Sequence, residues 1–393
     1  MKKTFTIFMT SLLILSLAAG SLGCGGKQVP PENTDPQTTE APAGETAFPG
    51  GEGATLPAPS SIEETTPAPT DADETEAPAP KTYDDGRARP SNAGRLQVKG
   101  GKLCDENGEP VMLRGVSLNG LITSESFLNE KLFDELAGDD GVNLFRLPMY
   151  TYGVGIVGYC TNGNKEKHEE DIDKGVQLAK DHDMYVIIDW HILSDGDPNT
   201  YLDQAKIFFD KMADKYKDYN NVLYEICNEP NHVDWAACKR YAEEVIPVIR
   251  AKDPGAVIIV GNPDWSKALY DVDADPLNFD NILYTLHFYS ATHGQIFRDM
   301  TRSLSQKGMP IFVSEFGITA ASGDLPRDIP AADEWIQLLE EENISYCLWA
   351  FAKVNEACST IRFSCPKYNG FVDEDYTDTG RWLLETLGKY KTR

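Results

Sequence analysis

The chain has 393 residues, with 62 acidic against 36 basic side chains and a formal net charge of −26. That balance excludes nucleic acid and anionic lipid headgroups as electrostatic partners. Its length suits one large domain or two ordinary ones, and its acidity fits an extracellular protein acting on a neutral ligand.

The N-terminus reads as a targeting segment. Lys2 and Lys3 precede a short apolar run from Phe5 to Ala19, and Ser21 to Cys24 (SLGC) follows as a cleavage site. The run is too short for a comfortable membrane span. SLGC resembles a bacterial lipobox, with Ser21 where leucine is usual. The reading is a signal segment over 1–24, with Cys24 lipidated and the lipid as the membrane tie; plain secretion is the alternative. Removing Cys24 leaves seven of the eight cysteines. Cys358 and Cys365 are close enough in sequence to close a loop, whereas Cys227 and Cys347 lie in apolar runs as small hydrophobes.

Residues 25–86 are rich in Pro, Thr, Ala, Glu and Gly, as in TTPAPTDADETEAPAP. So little apolar surface cannot repay the entropy of ordering, so a disordered, self-repelling tether is expected. Residues 87–393 form the folded domain. They open on a hairpin, LQVKGGKLCDENGEPVML, expected to turn on Glu106-Asn107-Gly108.

Eight strand-like runs then alternate with helix-like stretches. The runs are VMLRGVSLNG, GVNLFRLPMY, MYVIIDWHI, NVLYEICNEP, AVIIVGNPD, NILYTLHFYS, PIFVSEFGIT and ISYCLWAFA. They are almost continuously apolar, as strands covered on both faces are. In YLDQAKIFFDKMADKY, residues Leu202, Ala205, Phe209, Met212, Ala213 and Tyr216 recur at helical spacing. TGRWLLETLGKY closes the chain as a helix. Eight such units predict an α/β fold, a (β/α)8 TIM barrel preceded by its hairpin. The rival is a doubly wound open sheet, and no glycine-rich phosphate loop follows the first strand to support it.

Polar residues gather where these strands end: Arg146, His191, Asn228, Glu229, His287, Tyr289, Glu315 and Trp349. A barrel brings those ends to one face. Glu229 ends the fourth strand and Glu315 the seventh, so closure sets two carboxylates across one cleft. That is the minimum equipment for glycoside hydrolysis, one acid protonated and one ionised. Arg146 would keep Glu315 ionised, Tyr289 can hydrogen-bond it, Asn228 can hold a sugar hydroxyl, and Trp349 offers a stacking face. Singly, each is more commonly a rim or core residue. Their coincidence on different strand ends argues for a site.

YEICNEPN, FVSEFG, RLPMY, VIIDWHILSDGDPNTY and LHFYS together resemble glycoside hydrolase family 5, the cellulase family, in its bacterial endoglucanase branch. The resemblance covers about residue 95 to the end. It implies Glu229 as acid/base and Glu315 as nucleophile, with retention of configuration and no metal or organic cofactor. It implies that Arg146, His191, Asn228, His287, Tyr289 and Trp349 line the central subsite, with Tyr150 and Trp265 adding to the cleft. It also implies a cis peptide after Trp349 and a distal-sugar contact at Glu356. The expected ligand is a β-glucan polysaccharide or oligosaccharide, and the chain is expected to act as a monomer. The chain departs from the branch at Asn119, where a histidine is usual, at Thr123, where a tryptophan is usual, and at Val354, where a lysine is usual. These departures keep mannan and xyloglucan open as backbones. A surface lipoprotein that binds oligosaccharide without cleaving it is the third reading, disfavoured by the presence of both acids.

Overall fold

The computed structural model describes residues 81, 83–153 and 157–390. The signal segment, Cys24 and most of the tether lie outside the described residues. The end of the expected tether does not behave as a tether. The Lys81 amide donates to the Asp181 carbonyl at 2.9 Å, Tyr83 packs on the core, and Asp85 accepts from Arg89 at 2.6 Å. The folded domain therefore begins before Gly86.

Strands β1 (Gln97–Lys99) and β2 (Lys102–Cys104) form the opening hairpin, with Lys99 opposite Lys102. The ladder turns on Gly100-Gly101, whose φ values are 59° and 77°, not on Glu106-Asn107-Gly108. Both positions need a left-handed backbone, which glycine supplies without steric cost. The expected turn is present one step later. There it brings the chain back so that Pro110 bridges Cys104.

The next strands are β3 (Arg114–Ser117), β4 (Leu144–Tyr150), β5 (Tyr185–His191), β6 (Val222–Glu225), β7 (Ile258–Val260), β8 (Ile282–Tyr289), β9 (Ile311–Gly317) and β10 (Tyr346–Trp349). All pair in parallel in sequence order, and β10 pairs with β3 to close an eight-stranded barrel. The predicted (β/α)8 TIM barrel is the observed fold. Around it run α1 (Glu130–Ala137), α2 (Lys165–Asp181), α3 (Leu202–Tyr216), α4 (Trp235–Lys252), α5 (Leu269–Ala274), α6 (Gln295–Gln306), α7 (Ile329–Glu341) and α8 (Asp378–Lys389). Helix α3 buries Ala205, Phe208, Phe209, Met212, Ala213 and Tyr216 against the sheet, the face its periodicity predicts.

Strand alternation divides the core in two. Phe145, Leu147 and Met149 of β4 point outward into the layer beneath the helices. Leu144 points inward, where it meets Tyr185, Ile187, Leu223, Ile259, Leu283 and Phe312. Leu96 and Leu103 of the hairpin segment pack on this inner cluster, so the hairpin stoppers the N-terminal end of the barrel. Further along the same inward rows the residues turn polar: Ser117, Arg146, Asp189, Glu225, Thr285, Ser314 and Glu315, all buried. The barrel interior is thus apolar at one end and ionic at the other.

Strand β9 breaks the alternation. Thr285 and His287 of β8 pair with Phe312 and Glu315, and Tyr346 and Leu348 of β10 pair with Val313 and Phe316. Strand β9 carries one residue more than each neighbour over this stretch, which is a β-bulge. It lets Ser314 and Glu315, consecutive residues, both reach the barrel interior. None of the seven described cysteines is bonded to another. The loop closure open to Cys358 and Cys365 is not made: Cys358 Sγ lies 3.6 Å from Glu356, and Cys365 Sγ lies 3.3 Å from Asp375.

Candidate active site

Arg146 does not end its strand; it is the third of seven residues in β4 and wholly buried. Its inward position and length place the guanidinium at the centre of the ionic end. Nε donates to Glu225 at 2.7 Å, Nη1 to Glu315 at 3.1 Å, and Nη2 to Asn228 at 2.6 Å. Nη2 is also 2.9 Å from Asp189. Burial opposes this charge, but Asp189, Glu225 and Glu315 hold it well above its ordinary pKa.

Glu229 lies beyond the last ladder residue of β6, Glu225, rather than at the strand end. The chain stays extended because the Ile226 amide donates to the Ile259 carbonyl at 3.0 Å and the Asn228 amide to the Trp190 carbonyl at 3.2 Å. Pro230 then has no amide to continue with. This extension carries Glu229 to the cleft, where it is nearly buried. A Glu229 oxygen, a His287 ring nitrogen and a Glu315 oxygen all lie within 4.8 Å of one another. Closure has brought the two distant acids into one gap.

Their surroundings differ. Glu315 accepts from Arg146 and, at 2.7 Å, from the Tyr289 hydroxyl. Glu229 faces His287 Nδ1 at 2.9 Å. Burial disfavours charge on His287, but Glu315, Glu225 and Glu229 outweigh it and raise its pKa to about 9. The reverse holds at His191. Burial and then Arg146 lower its pKa to about 3, so the ring is neutral and Nδ1 donates to Asp189 at 2.6 Å. Burial raises the Asp189 carboxyl, with Glu225 and Glu315 adding to Arg146's incomplete compensation. Burial also works against Glu225, yet Arg146 and His287 hold it at about 2.

Asn228 is committed to the protein. Its Oδ1 accepts from Arg146, and Nδ2 donates to the Ile192 carbonyl at 3.1 Å and toward His191 Nε2 at 3.3 Å. It orients the charged cluster rather than standing free for a sugar. Trp349 stacks on His191 with centroids 5.3 Å apart and planes 9° apart, and the peptide after it is cis. The Tyr150 ring lies 4.3 Å from His191. Trp265, 38% exposed, bounds a cavity of about 310 Å³ with Glu229, Lys267, His287, Tyr289 and His293. Its loop is left-handed at Asp264, Trp265 and Ser266, with φ of 58°, 55° and 57°. Non-glycine residues adopt that region at a cost. Two bonds to the segment that carries Glu229 offset it: the Trp265 amide donates to the Pro230 carbonyl at 3.0 Å, and Ser266 Oγ to the Asn228 carbonyl at 2.7 Å.

Glu356 is not in this cluster. It is exposed and lines a separate groove of about 470 Å³ with Leu325, Val354, Arg362 and Phe363. Asn119 is half-buried and Thr123 exposed; the Thr123 hydroxyl donates to the Asn119 carbonyl at 3.1 Å. Asp189, Glu225, Thr285 and Ser314 belong to the site and were not singled out by sequence. The available signal was a polar residue inside an apolar run, Asp189 in VIIDWH, Glu225 in LYEIC and Thr285 in YTLHFY.

A family model for cellulase, glycosyl hydrolase family 5, matches residues 104–355. The chain belongs to glycosyl hydrolase family 5. This family 5 hydrolase is 42% identical over 302 residues to endoglucanase A of Butyrivibrio fibrisolvens, covering 76% of this chain and 70% of the relative. It is 43% identical over 314 residues to an endoglucanase of Clostridium saccharobutylicum, covering 79% and 69%. Among solved structures, it superposes on the catalytic domain of a Thermobifida fusca endoglucanase in complex with cellotetraose. The TM-score is 0.73 at 36% identity, with 77% of this chain and 100% of that chain covered.

The charge on His287 has a consequence for this hydrolase. Its folded pKa of about 9 stands above the ordinary 6.5. The stabilisation is therefore complete below pH 6.5 and lost as pH rises through 9, amounting to about 3 kcal/mol. Urea unfolding at pH 6 and pH 9.5 should show wild-type stability falling over that interval. The fall should be much smaller in His287→Gln.

Proposed function

We propose that this hydrolase is a retaining endo-β-1,4-glucanase, with Glu315 as nucleophile and Glu229 as acid/base. The observation that carries this reading is the spacing of the two acids, with oxygens within 4.8 Å. Retaining enzymes hold their carboxyl groups about 5–5.5 Å apart, whereas inverting ones leave room for a water. The asymmetry supports the division of roles. Glu315 is paired with a permanent cation and a phenol, which suits an anion that must attack. Glu229 faces an imidazole that exchanges protons.

In the first step Glu315 bonds to the anomeric carbon as the glycosidic C–O bond breaks, and Glu229 passes its proton to the departing oxygen. In the second, Glu229 takes a proton from water as that water's oxygen displaces Glu315. Each displacement inverts the carbon, so the product keeps the β configuration. Arg146, His191, Asn228, His287 and Tyr289 hold the acids in place, while Tyr150, Trp265 and Trp349 offer apolar faces to pyranose rings. Glu356 would contact a more distant sugar in its own groove. The endoglucanase names of the relatives and the cellotetraose bound to the Thermobifida fusca enzyme support a β-glucan substrate. Export through residues 1–24, with a lipid on Cys24, belongs to the same reading.

The test is reducing-sugar release from carboxymethyl cellulose, barley β-glucan, xyloglucan and mannan, beside Glu315→Gln. Release from the two glucans, abolished in the variant, is expected. Turnover of mannan alone would replace the backbone assignment, and Asn119, Thr123 and Val354 would then be the residues to examine. Oligosaccharide binding without turnover in the wild type would make the chain a binding protein.

A further inference from the structure

Behind Glu229 lies a hydrogen-bonded chain that neither displacement step uses. The Ser314 hydroxyl touches three groups: Glu225 Oε1 at 2.5 Å, Thr285 Oγ1 at 2.6 Å and His287 Nε2 at 3.0 Å. A hydroxyl has one hydrogen to give and two lone pairs to receive with. Glu225, ionised between Arg146 and His287, only accepts. Ser314 therefore gives its one hydrogen to Glu225. Thr285 must then donate to Ser314, and His287 Nε2 must donate as well. Thr285 Oγ1 in turn accepts the Ser314 backbone N–H at 3.2 Å. Every partner is satisfied by that single assignment, and all of these side chains are buried.

We propose that Ser314 is a positioning residue. Bridging Glu225 and His287, it fixes the hydrogen on Nε2 and leaves Nδ1 to share the proton that Glu229 exchanges with substrate and water. The proposal rests on Glu229 being the acid/base. With Nε2 always carrying hydrogen, two arrangements remain across the 2.9 Å gap to Glu229. Either protonated Glu229 donates to a neutral imidazole, or a charged imidazole donates to ionised Glu229. They differ only in the place of one proton. That proton goes to the departing oxygen when the C–O bond breaks, and the pair recovers one from water in the second step.

The groups around the imidazole set the balance. They are Glu229 after β6, Glu225 on β6, Glu315 on β9, Asp189 on β5 and Arg146 on β4, with Tyr289 and Lys267 on the cavity wall. The bulge in β9 makes the arrangement possible, since it puts Ser314 and Glu315 inward together. Removing the Ser314 hydroxyl takes away the acceptor that favours hydrogen on Nε2. The pair then holds its proton less firmly, and the alkaline limb of activity moves to lower pH.

The test compares Ser314→Ala, Ser314→Thr and Glu229→Ala with wild type on two substrates. Cellotetraose has a leaving sugar that needs a proton, whereas 2,4-dinitrophenyl β-cellobioside has a leaving group that departs without one. For Ser314→Ala, kcat/KM on cellotetraose should fall about tenfold, with the loss on the activated substrate below about threefold. The alkaline limb on cellotetraose should drop by about one pH unit, and Ser314→Thr should restore it. Equal losses on both substrates with an unmoved pH profile, or no loss at all, would overturn the proposal. Wild-type protein with ¹⁵N-labelled histidine supplies a check independent of the variant's folding. Above the alkaline limb His287 should carry its hydrogen on Nε2, and a hydrogen on Nδ1 would refute the assignment. Glu229→Ala separates the two levels. Should it lack leaving-group dependence, the acid/base assignment itself fails; should it show dependence that Ser314→Ala does not, only the role of Ser314 fails.

Discussion

Glu315→Ala is expected to lower kcat on cellotetraose by on the order of 10⁴-fold or more, the scale seen when a covalent nucleophile is removed. A bound sugar would then have nothing to form an intermediate with, although Glu229 would keep its partner His287. Azide added to the variant should enter the space left by the carboxylate and displace an activated leaving group once. One displacement inverts the carbon, so the product should be the α-glycosyl azide. Glu229→Ala with azide should give the β-glycosyl azide, because azide there intercepts the intermediate in a second displacement. Product configuration by NMR reads both. The α product from Glu229→Ala, or retained cellotetraose activity in Glu315→Ala, would reverse or remove the assignment.

Arg146→Ala is expected to carry the largest stability cost of any single change in the site. Its guanidinium meets Glu225, Glu315, Asp189 and Asn228 with no exposure to solvent. Removing one partner of a buried ion pair typically costs about 3–5 kcal/mol, because the remaining charge stays buried. The deficit should depend on pH. Glu225 is held at about 2 against an ordinary 4.5. The stabilisation it draws from Arg146 is therefore complete above pH 4.5 and lost as pH falls through 2. Denaturant unfolding of wild type and variant should show the widest gap at pH 7, narrowing below pH 4.5. Arg146→Lys should recover little, since one ammonium cannot serve three directions at once. A pH-independent gap would argue for lost packing volume rather than lost charge.

The strands were legible because parallel strands covered on both faces read as unbroken apolar runs, and the residues interrupting those runs marked the cleft. That sufficed for Glu229, Glu315, His287 and Tyr289. The same property hid Asp189 and Glu225. When both faces of a strand are apolar, alternation no longer tells inward from outward. The sequence also could not show that β9 gains a residue, and regular alternation would put Ser314 and Glu315 on opposite faces. Gly100-Gly101 and Glu106-Asn107-Gly108 are both turn signals, and only the pairing of Lys99 with Lys102 chooses between them. The tether's end is not legible because Lys81 is held by Asp134 and Asp181 from distant parts of the chain, while Tyr83 and Asp85 meet the nearby Arg89, which is itself anchored far away on the Ala137 and Asp183 carbonyls.

The extra residue in β9 also bears on how such a molecule can be redesigned. A regular strand shows its lumen only alternate side chains, so substitution can change what a position offers but never add a position. A one-residue insertion adds one, at the expense of local ladder regularity. For this scaffold, new chemistry beside the reacting carbon is better sought by lengthening a strand than by exchanging its letters. Conversely, excising one residue around Val313–Ser314 should remove either the hydroxyl or the carboxylate from the lumen while leaving seven strands untouched.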